Sequence, residues 1–179
     1  MLKRYIFIVL FLFTGCSSEE YDEQKEQKEQ KEQKEHEKYL TYEDLTDLLN
    51  IFPDSVKIDE FMKKRGFSLS SWDGNEYDTD ITYTKVIGKE NYDISIGEYK
   101  AINYLFVSER SINIERLKYY EKIVKANGYK LKKSGTVQEI NSIDTYQNTQ
   151  YELSLIEIKY SPKIYEIALS RITKIIELF

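Results

Sequence analysis

The chain has one cysteine, one histidine and two prolines among its 179 residues. The cysteine is Cys16 and the histidine is His36, so residues 39–179 contain neither. That absence removes Ser–His and Cys–His nucleophile pairs and His/Cys zinc sites from the larger part of the protein. It also removes disulfides, so any fold there rests on its own core. There is no Gly-x-Ser-x-Gly, no phosphate-cradling glycine loop and no dinucleotide fingerprint, so no cofactor is expected. Excess positive charge is missing too: the formal net charge is −5. An acidic chain gains nothing from phosphate neutralisation, and nucleic acid is not an expected partner. No apolar run approaches the ~20 residues that a bilayer-spanning helix needs.

What is present begins at the N-terminus. Lys3 and Arg4 precede nine consecutive apolar or aromatic residues, Tyr5 to Phe13. A basic start followed by an apolar run of ~7–15 residues is the layout of a secretory signal. Thr14 and Gly15 are small, as a signal-peptidase cleft requires, and Cys16 follows. Phe13-Thr14-Gly15-Cys16 resembles the lipobox of bacterial lipoproteins, with Phe13 standing where Leu is commoner. The resemblance implies that residues 1–15 are a signal peptide and that the Cys16 thiol carries diacylglycerol through a thioether. It further implies a third acyl chain on the freed Cys16 amine. Each buried CH₂ adds about 0.8 kcal/mol of membrane affinity, so two or three chains hold the protein permanently. Removing residues 1–15 takes two basic residues and no acid, which moves the net charge from −5 to −7.

Residues 17–38 are a charged tract in which Glu-Gln-Lys repeats four times from Glu23 to Lys34. It offers almost nothing to bury and so no packed structure to gain. A period of three rotates around a 3.6-residue helix and aligns no face, and its Lys25–Glu29 type pairs lie in the weaker orientation. A solvated, partly helical tether is expected for 16–38, reaching roughly 70 Å when extended. Glu19, Glu20, Asp22 and Glu23 follow Cys16 closely. This acidic start resembles the surface-export signal of Bacteroidetes-type lipoproteins, which implies an outer-membrane location facing outward. Ser17 is not the Asp that marks inner-membrane retention in enteric lipoproteins.

From Tyr39 the pattern changes. Thr41-Tyr42-Glu43-Asp44 reads as a capping box opening a helix through Asn50. Pro53 breaks it, and Asp54 caps a second helix with Val56, Ile58, Phe61 and Met62 on its apolar side. Gly66 ends that helix, followed by Phe67. Strands are expected at Phe67–Trp72, Tyr77–Ile87, Tyr92–Tyr99 and Ile102–Ser108, with turns at Asp73-Gly74-Asn75 and Gly88–Asn91. The order then recurs. A helix is expected from Ile112 to Asn127, with Ile114, Leu117, Tyr120 and Val124 inward. Gly128-Tyr129 repeats Gly66-Phe67. YDISIGEYK (92–100) aligns with YELSLIEIK (151–159), and INYLFVS (102–108) with IYEIALS (164–170). A C-terminal amphipathic segment carries Ile172, Ile175, Ile176 and Phe179.

The expected fold class is therefore α+β. Two tandem helix-plus-antiparallel-sheet repeats, αβββ(β) twice, cover 39–110 and 111–179 within one globular domain, 39–179. Helices pack on one sheet face and leave the other partly open for docking. The layout resembles the tandem αβ proteinaceous inhibitors of the β-lactamase-inhibitor type, in arrangement rather than in any motif.

Asp73 to Asp80 is the one acidic cluster. It reads as a solvated hairpin turn and lacks the spacing and sixth-position glycine of an EF-hand loop. Trp72 and Tyr77 flank it, either as exposed aromatic anchors for a partner or as strand-end core residues. Sixteen tyrosines suit half-exposed strands and protein-binding surfaces. The function expected is that of a non-catalytic, lipid-anchored envelope protein whose αβ domain binds another protein, in its most concrete form as an immunity or inhibitor protein. A structural or assembly lipoprotein of the outer membrane is the alternative. A hydrolase using carboxylates or Tyr is the third.

Overall fold

The computed structural model describes residues 38–137 and 141–172, so the signal, Cys16, the tether through residue 37 and the C-terminal segment 173–179 lie outside the described residues. The chain divides between Tyr39 and Leu40, and every element below belongs to the second part.

Helix α1 (Tyr42–Ile51) opens on the capping box read from Thr41 to Asp44. The Asp44 amide donates to Thr41 Oγ1 at 3.1 Å, and the Thr41 amide donates to Asp44 Oδ2 at 2.9 Å. Leu45, Leu48 and Leu49 follow at helical spacing and are fully buried. In α2 (Ser55–Lys64) Asp54 accepts from the Lys57 amide at 3.1 Å, and Ile58 and Met62 are buried. Val56, expected on the apolar side, is exposed. Gly66 takes a positive φ of 80°. That lets the Phe67 amide reach back to the Met62 carbonyl and the Gly66 amide to that of Lys63. Helix α3 (Ile114–Ala126) ends in a similar way: Gly128 has φ 67° and the Tyr129 amide returns to Val124.

Four strands follow α2: β1 (Ser68–Gly74), β2 (Asp78–Ile87), β3 (Glu90–Tyr99) and β4 (Tyr104–Ser111). Four more follow α3: β5 (Lys130–Val137), β6 (Asn141–Gln147), β7 (Tyr151–Ile158) and β8 (Ile164–Arg171). All eight form one antiparallel sheet in the order β1-β2-β3-β4-β8-β7-β6-β5. The two sets of strands thus join through β4 and β8. Phe106 faces Ser170 there, and Ser108 faces Ala168. Each edge strand carries an irregularity two residues in, between Leu69 and Ser71 and between Leu131 and Lys133.

Element boundaries differ from expectation where side chains competed with strand pairing. β1 runs through Asp73-Gly74, and the turn falls on Asn75–Tyr77, where Asn75 Oδ1 accepts from the Tyr77 and Asp78 amides at 2.7 and 2.8 Å. Lys100–Ile102 form a 3-10 turn rather than the start of a strand, because Tyr99 pairs directly with Tyr104 and the connection must be tight.

Alternation sorts the sheet into two faces. Tyr92, Ile94 and Ile96 of β3, Val107 and Glu109 of β4, Leu153 of β7 and Ile167 and Leu169 of β8 are buried and share the helix-bearing face. All three helices lie on it. Arg116 of α3 pairs with Glu109, Arg171 of β8 bonds the Leu49 carbonyl and Asn50 of α1, and α2 packs against β1. Among the described residues no element packs on the opposite face.

The α3 periodicity places one residue unexpectedly. Ile114 is exposed, while Arg116 is only 3% exposed and meets Glu109, which is 0% exposed. The guanidinium grips the carboxylate bidentately, Nε to Oε1 at 2.5 Å and Nη2 to Oε2 at 2.8 Å. Nη2 also donates to the Leu40 carbonyl at 2.6 Å, and the Leu40 amide donates to the Tyr92 hydroxyl at 3.2 Å. Tyr120 donates to Glu109 Oε2 at 2.9 Å. Arg116 of the buried ion pair thus holds the Leu40 carbonyl and Tyr92 the Leu40 amide. Burial and the Glu109 charge push the Tyr92 and Tyr120 hydroxyls well above the ordinary tyrosine range, so both stay protonated.

Candidate interaction surface

The face opposite the helices carries a transverse row of short side chains. Thr82, Ser95, Ser108, Ala168, Ser154 and Thr145 face one another in turn across β2, β3, β4, β8, β7 and β6. Hydroxyl contacts join Thr82 to Ser95 at 2.9 Å and Thr145 to Ser154 at 3.1 Å. Short polar residues suit this face because none of the described elements packs against it.

One rung away, β3 and β4 bring three aromatic rings together on this uncovered face. Tyr99 pairs with Tyr104 across the strands, and Phe106 faces Gly97. The rings stack at tilts of 12–26°, with Tyr99–Phe106 centroids 5.4 Å apart and Tyr99–Tyr104 centroids 6.1 Å apart. Gly97 makes room for Phe106: a Cβ there would lie 2.7 Å from the ring and 2.6 Å from the Thr79 carbonyl oxygen. Tyr99 remains 44% exposed.

Acids border the trio. Asp80 faces Gly97 on one side and Asp73 on the other, while Asp78 faces Tyr99. Burial, then the nearby Asp73 charge, pushes the Asp80 carboxyl above the usual carboxylate range. Its Oδ1 is buried without a hydrogen-bond partner. Like charges directly opposite on neighbouring strands are destabilising. The far half of the face differs. Arg110 is paired with Glu166 at 2.9 Å and Lys132 with Glu152 at 2.6 Å, and β5 carries Lys130, Lys132 and Lys133. Among the described residues, no group of three or more carboxylate, His or Cys side chains is placed to hold a metal ion.

No family model, curated protein or solved structure matches the chain, so its function is read from its own geometry.

Of the residues singled out in the sequence, Cys16 lies outside the described residues. Trp72 and Tyr77 are 59% and 62% exposed, so neither is a strand-end core residue. They do not join the aromatic trio. Trp72 faces Ile81 and therefore projects on the helix-bearing side of the edge strand, and its indole nitrogen lies over Gly74. Tyr77 lies in the β1–β2 turn, its carbonyl taking the Lys100 amide at 2.9 Å. The sequence pattern singled out Asp80 only as the end of an acidic turn, and Tyr99, Tyr104 and Phe106 not as a group. The signal was present: in β3 and β4 these rings fall on the parity opposite to Ile94, Ile96 and Val107. Large aromatics on the polar parity of a strand mark a face that touches something.

An open cleft of about 890 Å³ lies elsewhere, between the start of α1, the α3–β5 turn and the β6–β7 turn. It is lined by Tyr42, Asn127, Lys130, Lys132, Asn148 and Tyr151 among others, with no carboxylate, imidazole or thiol among its lining residues. Tyr42 and Tyr129 share a 2.9 Å hydroxyl contact beside it. Burial raises both hydroxyls, which keeps them neutral near pH 7.

Proposed function

We propose that this protein is a bacterial lipoprotein of the cell envelope, acylated on Cys16, whose αβ unit binds another protein without catalysing a reaction. The observation that carries the binding role is the sheet face away from the helices, where a stacked aromatic trio stands beside Asp80, whose buried Oδ1 has no hydrogen-bond partner. Stacked rings supply contact area at low entropic cost. A buried carboxylate oxygen with no partner costs free energy in the isolated protein and is relieved when a donor arrives. The buried ionic cluster at Glu109 and Arg116, by contrast, is wholly occupied in holding the fold. Trp72 and Tyr77 are two further exposed aromatic residues available to a partner.

A tandem duplication underlies the architecture. Its support is a recurring offset: Gly66 and Gly128, Leu69 and Leu131, Phe106 and Ala168, and Ser108 and Ser170 are each 62 residues apart, and the aligned Tyr92 and Tyr151 are 59 apart. The pairing of Phe106 with Ser170 and Ser108 with Ala168 is what a twofold between two copies would generate. An inhibitor or immunity role suits such a domain held off the membrane by the Glu-Gln-Lys tether, on the outer membrane and facing outward.

Two measurements test the reading. Cys16→Ser should abolish acyl labelling and release the protein from membranes; membrane retention without labelling would sink the anchor. The wild-type chain should capture a stoichiometric envelope or secreted protein that a Tyr99→Ala chain captures poorly. Equal capture by both, or none by either, removes the face from the function.

A further inference from the structure

We infer that β1 is an open edge at which two copies of this chain pair, antiparallel about a twofold axis, to continue the sheet across the dimer. The outer edges of the sheet are β1 and β5. An unpaired edge strand is a template for another strand, and proteins guard such edges with lysine, proline or irregularities. Both edges here carry a bulge-like register shift. Only β5 adds lysines, with Lys130, Lys132 and Lys133 among its eight residues. β1 reads Ser-Leu-Ser-Ser-Trp-Asp-Gly, exposed at all seven positions, without lysine or proline. It displays Leu69 and Trp72 on the helix-bearing side, 48% and 59% exposed.

The second copy fits because β1 is complementary to itself. With the axis between Ser70 and Ser71, Leu69 lies opposite the partner's Trp72 and Ser68 lies opposite the partner's Asp73. Apolar side chains then meet on one face and no two acids meet on the other. Charge at the strand ends agrees. The chain entering β1 carries Lys63 and Arg65, ion-paired with Asp59 and Asp44, and Lys64, whereas the end of β1 and the turn beyond carry Asp73, Glu76 and Asp78. Antiparallel pairing sets the acidic end of each copy toward Lys64 of the other, which favours this orientation. Parallel pairing would align like with like. Pairing through β5 would bring its lysines together.

The pairing places position 71 of the two copies on neighbouring rungs, about 6 Å apart between Cα atoms, within disulfide reach. The full chain is expressed in its membrane and oxidised mildly, as wild type, as Ser71→Cys and as Lys133→Cys, the corresponding position on β5. Wild type measures any contribution from Cys16. Ser71→Cys should give several-fold more disulfide-linked dimer than either control, and adding Leu69→Lys should reduce that yield several-fold. No excess dimer from Ser71→Cys, insensitivity to Leu69→Lys, or preferential linkage of Ser71→Cys chains to Lys133→Cys chains when the two are mixed would each overturn the twofold pairing. So would linkage to a different protein in place of a second copy.

Discussion

Breaking the buried pair in the core should reveal how much of the fold depends on it. Arg116→Met leaves the Glu109 carboxylate fully buried, with the Tyr120 hydroxyl and its neighbours but no countercharge. Glu109→Leu leaves the guanidinium buried with the Leu40 carbonyl as a main acceptor. Removing one partner of a buried ion pair costs about 3–5 kcal/mol, a large share of the 5–15 kcal/mol that typically holds a domain together. The double variant buries no uncompensated charge. It still leaves the Leu40 carbonyl and the Tyr120 hydroxyl short of partners, at roughly 1–3 kcal/mol each. It should therefore cost about as much as one single variant, ~3–5 kcal/mol, and not the ~6–10 kcal/mol of independent changes. Urea unfolding followed by far-ultraviolet circular dichroism measures this, since the only tryptophan, Trp72, lies on the exposed edge and reports poorly on the core. Additive losses would show that the two charges do not act as a unit. Arg116→Met and the double variant should speed hydrogen exchange at the Leu40 amide, because its carbonyl loses the Arg116 clamp.

Asp80→Asn should stabilise the protein at neutral pH, by no more than about 1 kcal/mol because the site is partly solvated and screened. Asp80 holds its proton to higher pH in the folded state than in the unfolded one. The wild type therefore loses stability as pH rises through the carboxylate range, and the gain from Asn should vanish below it. A gain that persists at low pH, measured by thermal unfolding, would contradict this. Gly97→Ala sets a methyl 2.6 Å from the Thr79 carbonyl and against Phe106. It should destabilise by about 1–3 kcal/mol and weaken partner capture by displacing the ring; unchanged stability would mean that β3 shifts freely.

Helix ends were legible because their signals are local. Thr41 with Asp44, Asp54, and the Gly66-Phe67 and Gly128-Tyr129 pairs each satisfy backbone groups within a few residues. The strand alternation in β2, β3, β7 and β8 was legible for the same reason. Ile114 was misread because its spacing fits the inward face of α3, yet the neighbouring position holds Arg116, whose partner Glu109 on β4 outweighs the gain from burying another aliphatic chain. The exposure of Trp72 was equally hidden, since it depends on whether a helix reaches the edge strand.

The sequence by itself determined the local elements of this protein, their order and which strand residues share a face, because caps, turns and alternation act between near neighbours. The lipid anchor and tether proposed around Cys16 likewise rest on the sequence alone. Only the tertiary structure decided that eight strands make one sheet through β4 and β8. It also decided that Tyr99, Tyr104 and Phe106 meet beside Asp80, and that an Arg–Glu pair locks the chain at Leu40. Those contacts join residues from separate strands or distant parts of the chain, and their free energy depends on burial that exists only once the helices cover one face of the sheet and leave the other open.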